Sequence, residues 1–119
     1  ASELGLVLAE INHTLKNLKE WMEPKSVQTT LVNLPSSSKI YRDSLGVVLI
    51  ISPWNYPVNL LLIPLVGAIA GGNCIVLKPS ELSPATSAIT EKIIEETFSP
   101  SFVKIFINSK KAKLHFNIY

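Results

Sequence analysis

Apolar residues recur along this chain in distinct rhythms, and each rhythm predicts an element. Between Ser2 and Met22, Leu4, Val7, Leu8, Ile11, Leu15, Leu18 and Met22 follow at steps of three and four residues. That spacing lines one face of an amphipathic helix. Asn12, Lys16, Lys19 and Glu20 take the other face, and Glu23-Pro24 ends the pattern. Residues 26–43 differ in character, with Thr29, Thr30, Val32 and Ile40 placed around Leu34-Pro35-Ser36-Ser37-Ser38. β-branched residues about a Pro/Ser turn predict extended arms or a loose hairpin, with a solvated loop as the alternative.

The stretch from Leu45 to Glu81 reads LGVVLIISPWNYPVNLLLIPLVGAIAGGNCIVLKPSE, with no charge between Asp43 and Lys78. Gly46 to Ile51 is a short aliphatic run that stops at Pro53 and predicts a strand buried on both faces. Pro57 to Ala70 predicts a helix with Pro57 in its first turn, and Gly71-Gly72-Asn73 supplies the stop. Cys74 to Leu77 predicts a second buried strand, ended by Lys78-Pro79-Ser80-Glu81. Ser83 is the candidate cap of a further helix, with Pro84 at its first position. Ala88, Ile89, Ile93 and Ile94 form its apolar stripe; Glu91, Lys92, Glu95 and Glu96 face solvent. Phe102 to Ile107 is a possible third strand. The order is helix, extended arm, then β-α-β-α-β, an α/β chain forming part of a doubly wound parallel sheet. Polar residues at the ends of such strands lie where open parallel sheets bind ligands.

Composition refines this picture. At 119 residues the chain suffices for one small domain or part of a larger one. With 47% hydrophobic and 17% charged residues, it is greasier than a free-standing domain usually is. We therefore expect its apolar elements to pack against sequence outside it. The single cysteine excludes an internal disulfide framework and fits a reducing compartment. The first residue is Ala1, which predicts an incomplete or processed N-terminus, and no signal-peptide pattern follows. Asn12-His13-Thr14 is formally a glycosylation sequon that carries little weight without such a signal. Residues 45–77 are long enough to span a bilayer. However, Pro53, Asn55, Pro57, Asn59, Pro64, Gly71, Gly72 and Asn73 interrupt them, which favours a buried core over a membrane segment.

Charge divides the chain. Residues 1–98 hold seven Lys/Arg and nine Asp/Glu, whereas residues 99–119 hold four lysines and no acid. Ser109-Lys110-Lys111-Ala112-Lys113 has the composition of a nucleic-acid or membrane-surface patch. Without arginine or a fold to present it the signal is weak, so no nucleic-acid partner is expected.

The central motifs carry a specific resemblance. Ile51-Ser52-Pro53-Trp54-Asn55-Tyr56-Pro57, then Gly72-Asn73, then Lys78-Pro79-Ser80-Glu81 resemble the N-terminal cofactor-domain segment of the aldehyde dehydrogenase superfamily. Leu45 to Ile51 and Pro64 to Ala70 most resemble its class 3 branch, which includes fatty and aromatic aldehyde dehydrogenases. The resemblance covers roughly residues 4 to 97 and implies a partial Rossmann-like NAD(P)-binding domain over residues 1–98. Beyond Thr97 it fades. The family continues to a glycine-rich turn, and no glycine follows Gly72. Residues 99–119 thus read as a divergent basic tail, of alternative or out-of-frame coding.

The resemblance also implies a chemistry. Oxidising an aldehyde to an acid with a nicotinamide cofactor needs a thiolate nucleophile, an oxyanion stabiliser, a base and a held cofactor. Asn55 matches the asparagine whose amide donates to the oxyanion of the cysteine thiohemiacetal. From the residues alone, the alternative is that it only caps or turns the chain between Pro53 and Pro57. Lys78, Ser80 and Glu81 fall at the cofactor's adenosine ribose, where Lys78 and Glu81 would bind the hydroxyls; the alternative is a salt-bridged strand end. Glu81 would repel a 2′-phosphate and favour NAD over NADP, a preference relaxed in class 3 members. Ile51, Ser52, Pro53 and Trp54 match the wall against which the cofactor lies, though Trp54 would serve equally as core filler. No metal is implied. Gly71 replaces the more usual alanine and would loosen the helix end.

Cys74 reads as a buried structural thiol. The family nucleophile, its base and the glycine-rich turn would lie beyond residue 119, so this chain alone should not oxidise aldehydes. The resemblance further implies an aldehyde substrate, a homodimer with residues 26–43 in a subunit-contact sheet, and a cytoplasmic or membrane-associated enzyme. The alternative from a different class is a catalytically inactive, truncated product acting as a nucleotide-binding or subunit-interacting remnant.

Overall fold

The computed structural model describes residues 2–108. Helix α1 spans Glu3–Met22, and Ser2 caps it by accepting the Gly5 N–H on its hydroxyl at 3.2 Å. It packs along helix α2, Asn59–Ala70. The seam that packs differs from the apolar stripe in the sequence. Val7 and Thr14 are buried, with Glu3, Glu10, Ile11, Asn17 and Leu18 half-buried beside them, while Leu4, Leu8, Leu15 and Met22 are exposed. Of the predicted stripe only Val7, Ile11 and Leu18 are covered; Glu10, Thr14, Asn17 and Glu3, whose carboxylate bonds to α2, complete the packed side.

The arm forms a hairpin. Strand β1, Lys25–Val27, pairs antiparallel with β2, Ser38–Ile40, and Thr29 donates its hydroxyl hydrogen to the Ser38 hydroxyl at 3.0 Å. Arg42 donates to the Trp21 carbonyl at 2.9 Å and ties the hairpin's exit to the end of α1.

Strands β3 (Val47–Ile51), β4 (Cys74–Lys78) and β5 (Val103–Ile105) form a parallel sheet in that order. Helix α2 links β3 to β4, and helix α3, Pro84–Thr97, links β4 to β5. The register pairs Ile50 with Leu77 and Leu77 with Ile105, so these side chains share one face. There they meet Ile75, Val103, Leu61 and Leu65 of α2 and Ile94 of α3 in one core. The α/β parallel arrangement is the one the sequence predicts.

Two burial expectations are corrected. β3 is not buried on both faces: Val47, Leu49 and Ile51 are 70%, 56% and 69% exposed. Cys74, predicted to be buried, is exposed as well. Both follow from the packing of α2 and α3 against the same face of the sheet, which leaves these residues on the other. No helix among the described residues is long and apolar enough to cross a membrane.

Helix ends explain the tight connections. α2 begins at Asn59, so Pro57 sits in the preceding turn rather than in the helix. At its other end Gly72, with φ 74°, takes the left-handed conformation that stops a helix. A Cβ on Gly71 would meet the Asn73 amide nitrogen at 2.8 Å, so glycine makes room for that side chain. In α3, Pro84 is the first residue as predicted, but Ser83 makes no capping bond; its hydroxyl faces the Ser80 carbonyl at 3.5 Å. The face of α3 also differs: Ser87, Thr90 and Ile94 are buried, while Ala88, Ile89 and Ile93 are exposed. Ser87 and Thr90 donate their hydroxyl hydrogens to the carbonyls of Ser80 and Thr86, and so lie buried without orphaned polar groups. The basic run in residues 109–113 and the remainder of the tail to residue 119 lie outside the described residues.

Candidate functional site

The carboxyl ends of β3 and β4 lie side by side. Ile51 pairs with Lys78, and the Ser52 N–H donates to the Lys78 carbonyl at 3.1 Å. The predicted residues Ile51, Ser52 and Lys78 are therefore neighbours at one edge of the sheet. Ile51 is exposed, whereas Ser52 is 4% exposed and its hydroxyl has no hydrogen-bond partner among the described residues. An orphaned buried hydroxyl is uncommon.

From Lys78 the chain makes a turn built on its own polar groups. Lys78 Nζ donates to the Pro79 carbonyl at 2.9 Å and lies 3.3 Å from Glu81 Oε1. The Ser80 hydroxyl accepts the Leu82 N–H at 3.2 Å, and its carbonyl accepts the Ser87 hydroxyl hydrogen at 2.9 Å from α3. The Lys78–Glu81 pair is the salt bridge named above as an alternative. Its partial exposure holds its worth to about 0.2–1 kcal/mol, too little to be a principal prop of the fold.

Ser80, Glu81, Pro84, Ser87, Ile107 and Asn108 line a cleft of about 270 Å³. Small-molecule sites usually measure about 300–1,000 Å³, so this cleft suits one part of a ligand rather than a whole dinucleotide. A larger cleft of about 450 Å³ opens beside Val47, Cys74, Ser101, Phe102 and Lys104, at the amino ends of the strands. Open parallel sheets bind ligands at their carboxyl ends, which favours the smaller cleft.

Asn55 lies on the exposed loop that leaves β3 at that same end, with Pro53, Trp54 and Tyr56. Trp54 is 61% exposed, so it does not fill the core. Tyr56 has φ 52°, a left-handed conformation rare for a bulky side chain. The loop then meets the first turn of α2, where Glu3 Oε2 accepts the N–H groups of Val58 and Asn59 at 2.9 Å each. Glu3 escaped the sequence reading because 55 residues separate it from Val58 and no local pattern links them. Asn73 was read as part of a stop signal and of the family motif, with no bonding role, yet it bonds to Leu45, Gly46 and Ala68.

A cation, a carboxylate and an orphaned buried hydroxyl at adjacent strand ends offer the donors and acceptors that a sugar diol requires. These residues fit a ribose. Cys74, at the start of β4, lies at the opposite end of the sheet from Asn55, about 13 Å of strand away. Among the described residues no cluster of three or more His, Cys, Asp or Glu is placed to hold a metal ion.

Comparison with known proteins gives a consistent result. The family model described as "Aldehyde dehydrogenase family" matches residues 3–116. Aldehyde dehydrogenase family 3 member H1 of Arabidopsis thaliana is 48% identical over 103 residues, which are 87% of this chain and 21% of that protein. The substrate-bound state of Staphylococcus aureus AldH matches 96% of this chain and 25% of its own, with a TM-score of 0.88 and 36% identity. An NADP-dependent glyceraldehyde-3-phosphate dehydrogenase of Bacillus halodurans, complexed with NADP, matches 89% of this chain and 23% of its own, with a TM-score of 0.71 and 25% identity. The chain thus spans about a fifth to a quarter of the relatives it matches.

Proposed function

Because this chain belongs to the aldehyde dehydrogenase family, we propose that it forms part of an NAD(P)-dependent enzyme that oxidises aldehydes to carboxylic acids. Within that enzyme the chain holds the adenosine ribose of the cofactor and supplies one oxyanion donor. The observation that carries this reading is the convergence of Ser52, Lys78 and Glu81 at adjacent strand ends, with Asn55 on the loop from the same end.

The roles follow from the side chains. Lys78 donates to, and Glu81 accepts from, the ribose hydroxyls, while Ile51, Ser52, Pro53 and Trp54 form the wall beside them. Ser80 stiffens the turn that presents Glu81. Glu81 disfavours a 2′-phosphate and Lys78 favours one, which supports the use of either NAD or NADP. The bound cofactor supplies the hydride acceptor. A neutral amide such as that of Asn55 is a fixed donor that needs no proton exchange to stabilise an oxyanion. The thiol that generates the oxyanion belongs elsewhere in the enzyme, since Cys74 is at the far end of the sheet. The exposed hairpin β1–β2 is the subunit contact of a homodimer in this reading. The single cysteine fits a reducing compartment such as the cytoplasm.

The position of Cys74 also favours a second reading, a nucleotide-binding or subunit-interacting remnant without catalysis. One measurement separates the two: the intact mass of the native protein captured with an antibody to residues 26–43. A species several times heavier than 13.1 kDa that oxidises aldehydes with NAD or NADP supports the first. A 13.1 kDa species that binds either nucleotide without oxidising supports the second. A species that neither binds nucleotide nor turns over aldehyde overturns the ribose-binding role in both.

A further inference from the structure

We propose that Glu3 is a positioning residue for Asn55: its carboxylate clamps the first turn of α2 and thereby sets the loop that carries the asparagine. The inference rests on the reading of Asn55 as an oxyanion donor, but the clamp itself is tested separately.

Helix α2 has no side-chain cap of its own. Val58 occupies the cap position with helical φ and ψ of −87° and −57°, and a valine side chain cannot accept a hydrogen bond. Pro57 contributes no N–H. The donors of the opening turn would therefore turn to solvent, and Glu3 takes two of them on a single oxygen, at 2.9 Å from each nitrogen. These are charge-assisted bonds, stronger than bonds between neutral groups. They place a negative charge where the dipole of α2 is positive.

Glu3 is itself held in place. It is the first residue of α1, directly after the Ser2 cap, and α1 packs along α2. The far end of the loop is fixed by the bond from Ser52 N–H to the Lys78 carbonyl. Between these anchors lie only residues 53–57, and the helical ladder starts at the Tyr56 carbonyl, which accepts the Leu60 N–H at 3.2 Å. Tyr56 is held at positive φ, a conformation that persists only where its surroundings impose it. When the carboxylate is removed, the first turn of α2 frays, Tyr56 relaxes, and the adjacent Asn55 loses its fixed position.

The test compares Glu3→Ala with Glu3→Gln, whose amide oxygen still accepts both N–H groups. In this chain, amide hydrogen exchange at Val58 and Asn59 should quicken about tenfold in Glu3→Ala, leave Ile75 and Leu77 unchanged, and be largely restored in Glu3→Gln. If Glu3→Ala destabilises the whole chain, Ile75 and Leu77 quicken too; Glu3→Asp, with a shorter reach, then serves as the local test. In the longer, aldehyde-oxidising form, Glu3→Ala should lower kcat about tenfold or more while the KM for the nucleotide stays within about twofold. Unchanged exchange at Val58 and Asn59 in both Glu3→Ala and Glu3→Asp overturns the clamp. Faster exchange with unchanged kcat overturns the positioning role. The reading of Asn55 fails by a different sign, namely full turnover in Asn55→Ala, whatever the exchange result.

Discussion

The side-chain oxygen of Asn73 accepts the backbone N–H of Leu45 at 2.7 Å, 28 residues back along the chain. The same oxygen accepts the Gly46 N–H at 3.1 Å, and the amide nitrogen donates to the Ala68 carbonyl at 3.1 Å. One buried side chain thus joins the last turn of α2 to the entrance of β3, just before β4 begins. It fastens the β-α-β unit at the end remote from the candidate site.

Asn73→Ala removes three hydrogen bonds and leaves two part-buried backbone donors without their acceptor. At about 1–3 kcal/mol per unsatisfied buried group, the expected loss for the two is about 2–6 kcal/mol. Urea denaturation measures it. Asn73→Asp keeps the acceptor and should lose less than half as much, while a loss under about 0.5 kcal/mol for alanine would show that water replaces the amide.

Ser52 separates stability from function. Its hydroxyl is buried without a partner among the described residues, so Ser52→Ala deletes a desolvated polar group and none of their bonds. We expect the nucleotide-free chain to be unchanged or up to about 1 kcal/mol more stable, and nucleotide binding to weaken several-fold. Thermal unfolding and calorimetric titration with NAD supply the two readings. A less stable Ser52→Ala chain with intact binding would assign the hydroxyl to packing alone.

Lys78 and Glu81 should set the balance between the two cofactors. Lys78→Met removes the cation and should weaken NADP more than NAD; Glu81→Gln removes the repulsion and should strengthen NADP relative to NAD. Each ratio should change about tenfold, the scale of one charge-assisted contact. Both variants should stay within about 1 kcal/mol of the parent in stability, as the pair is partly exposed. Equal shifts for the two nucleotides would place the ribose elsewhere.

The order of elements was legible because their boundaries carry residues with a mechanism: Pro24 after α1, Pro53 after β3, Gly72 after α2 and Pro84 opening α3. The placement of Ser52 beside Lys78 was legible because the parallel pairing of β3 and β4 brings those strand ends together, with Ser80 and Glu81 on the turn that follows. Two kinds of information were not. Bonds across long separations, such as Glu3 to Val58 and Asn73 to Leu45, leave no local period to detect. Nor does an apolar residue reveal which of two faces the neighbouring element covers, and so the helix faces and the open side of β3 were misread.

Helix α3 tests that last point. The sequence stripe gives Ile93 and Ile94 equal standing, yet Ile93 is 51% exposed and Ile94 is 2% exposed against the sheet. Ile94→Ala empties a site in the core beside Leu77 and Ile105 and should cost about 2–5 kcal/mol. Ile93→Ala removes a largely exposed side chain, and alanine's better helix propensity offsets part of the lost packing, so it should cost under about 1 kcal/mol. Thr90 marks the same buried face with a polar residue, since its hydroxyl is already paired with the Thr86 carbonyl. Thr90→Lys, which forces a charge against the sheet, should destabilise far more than Ile89→Lys on the exposed side. Chemical denaturation of the four variants decides between the faces. Equal losses at Ile93 and Ile94, or a tolerated Lys at position 90, would rotate α3 back to the face that its apolar residues alone suggest.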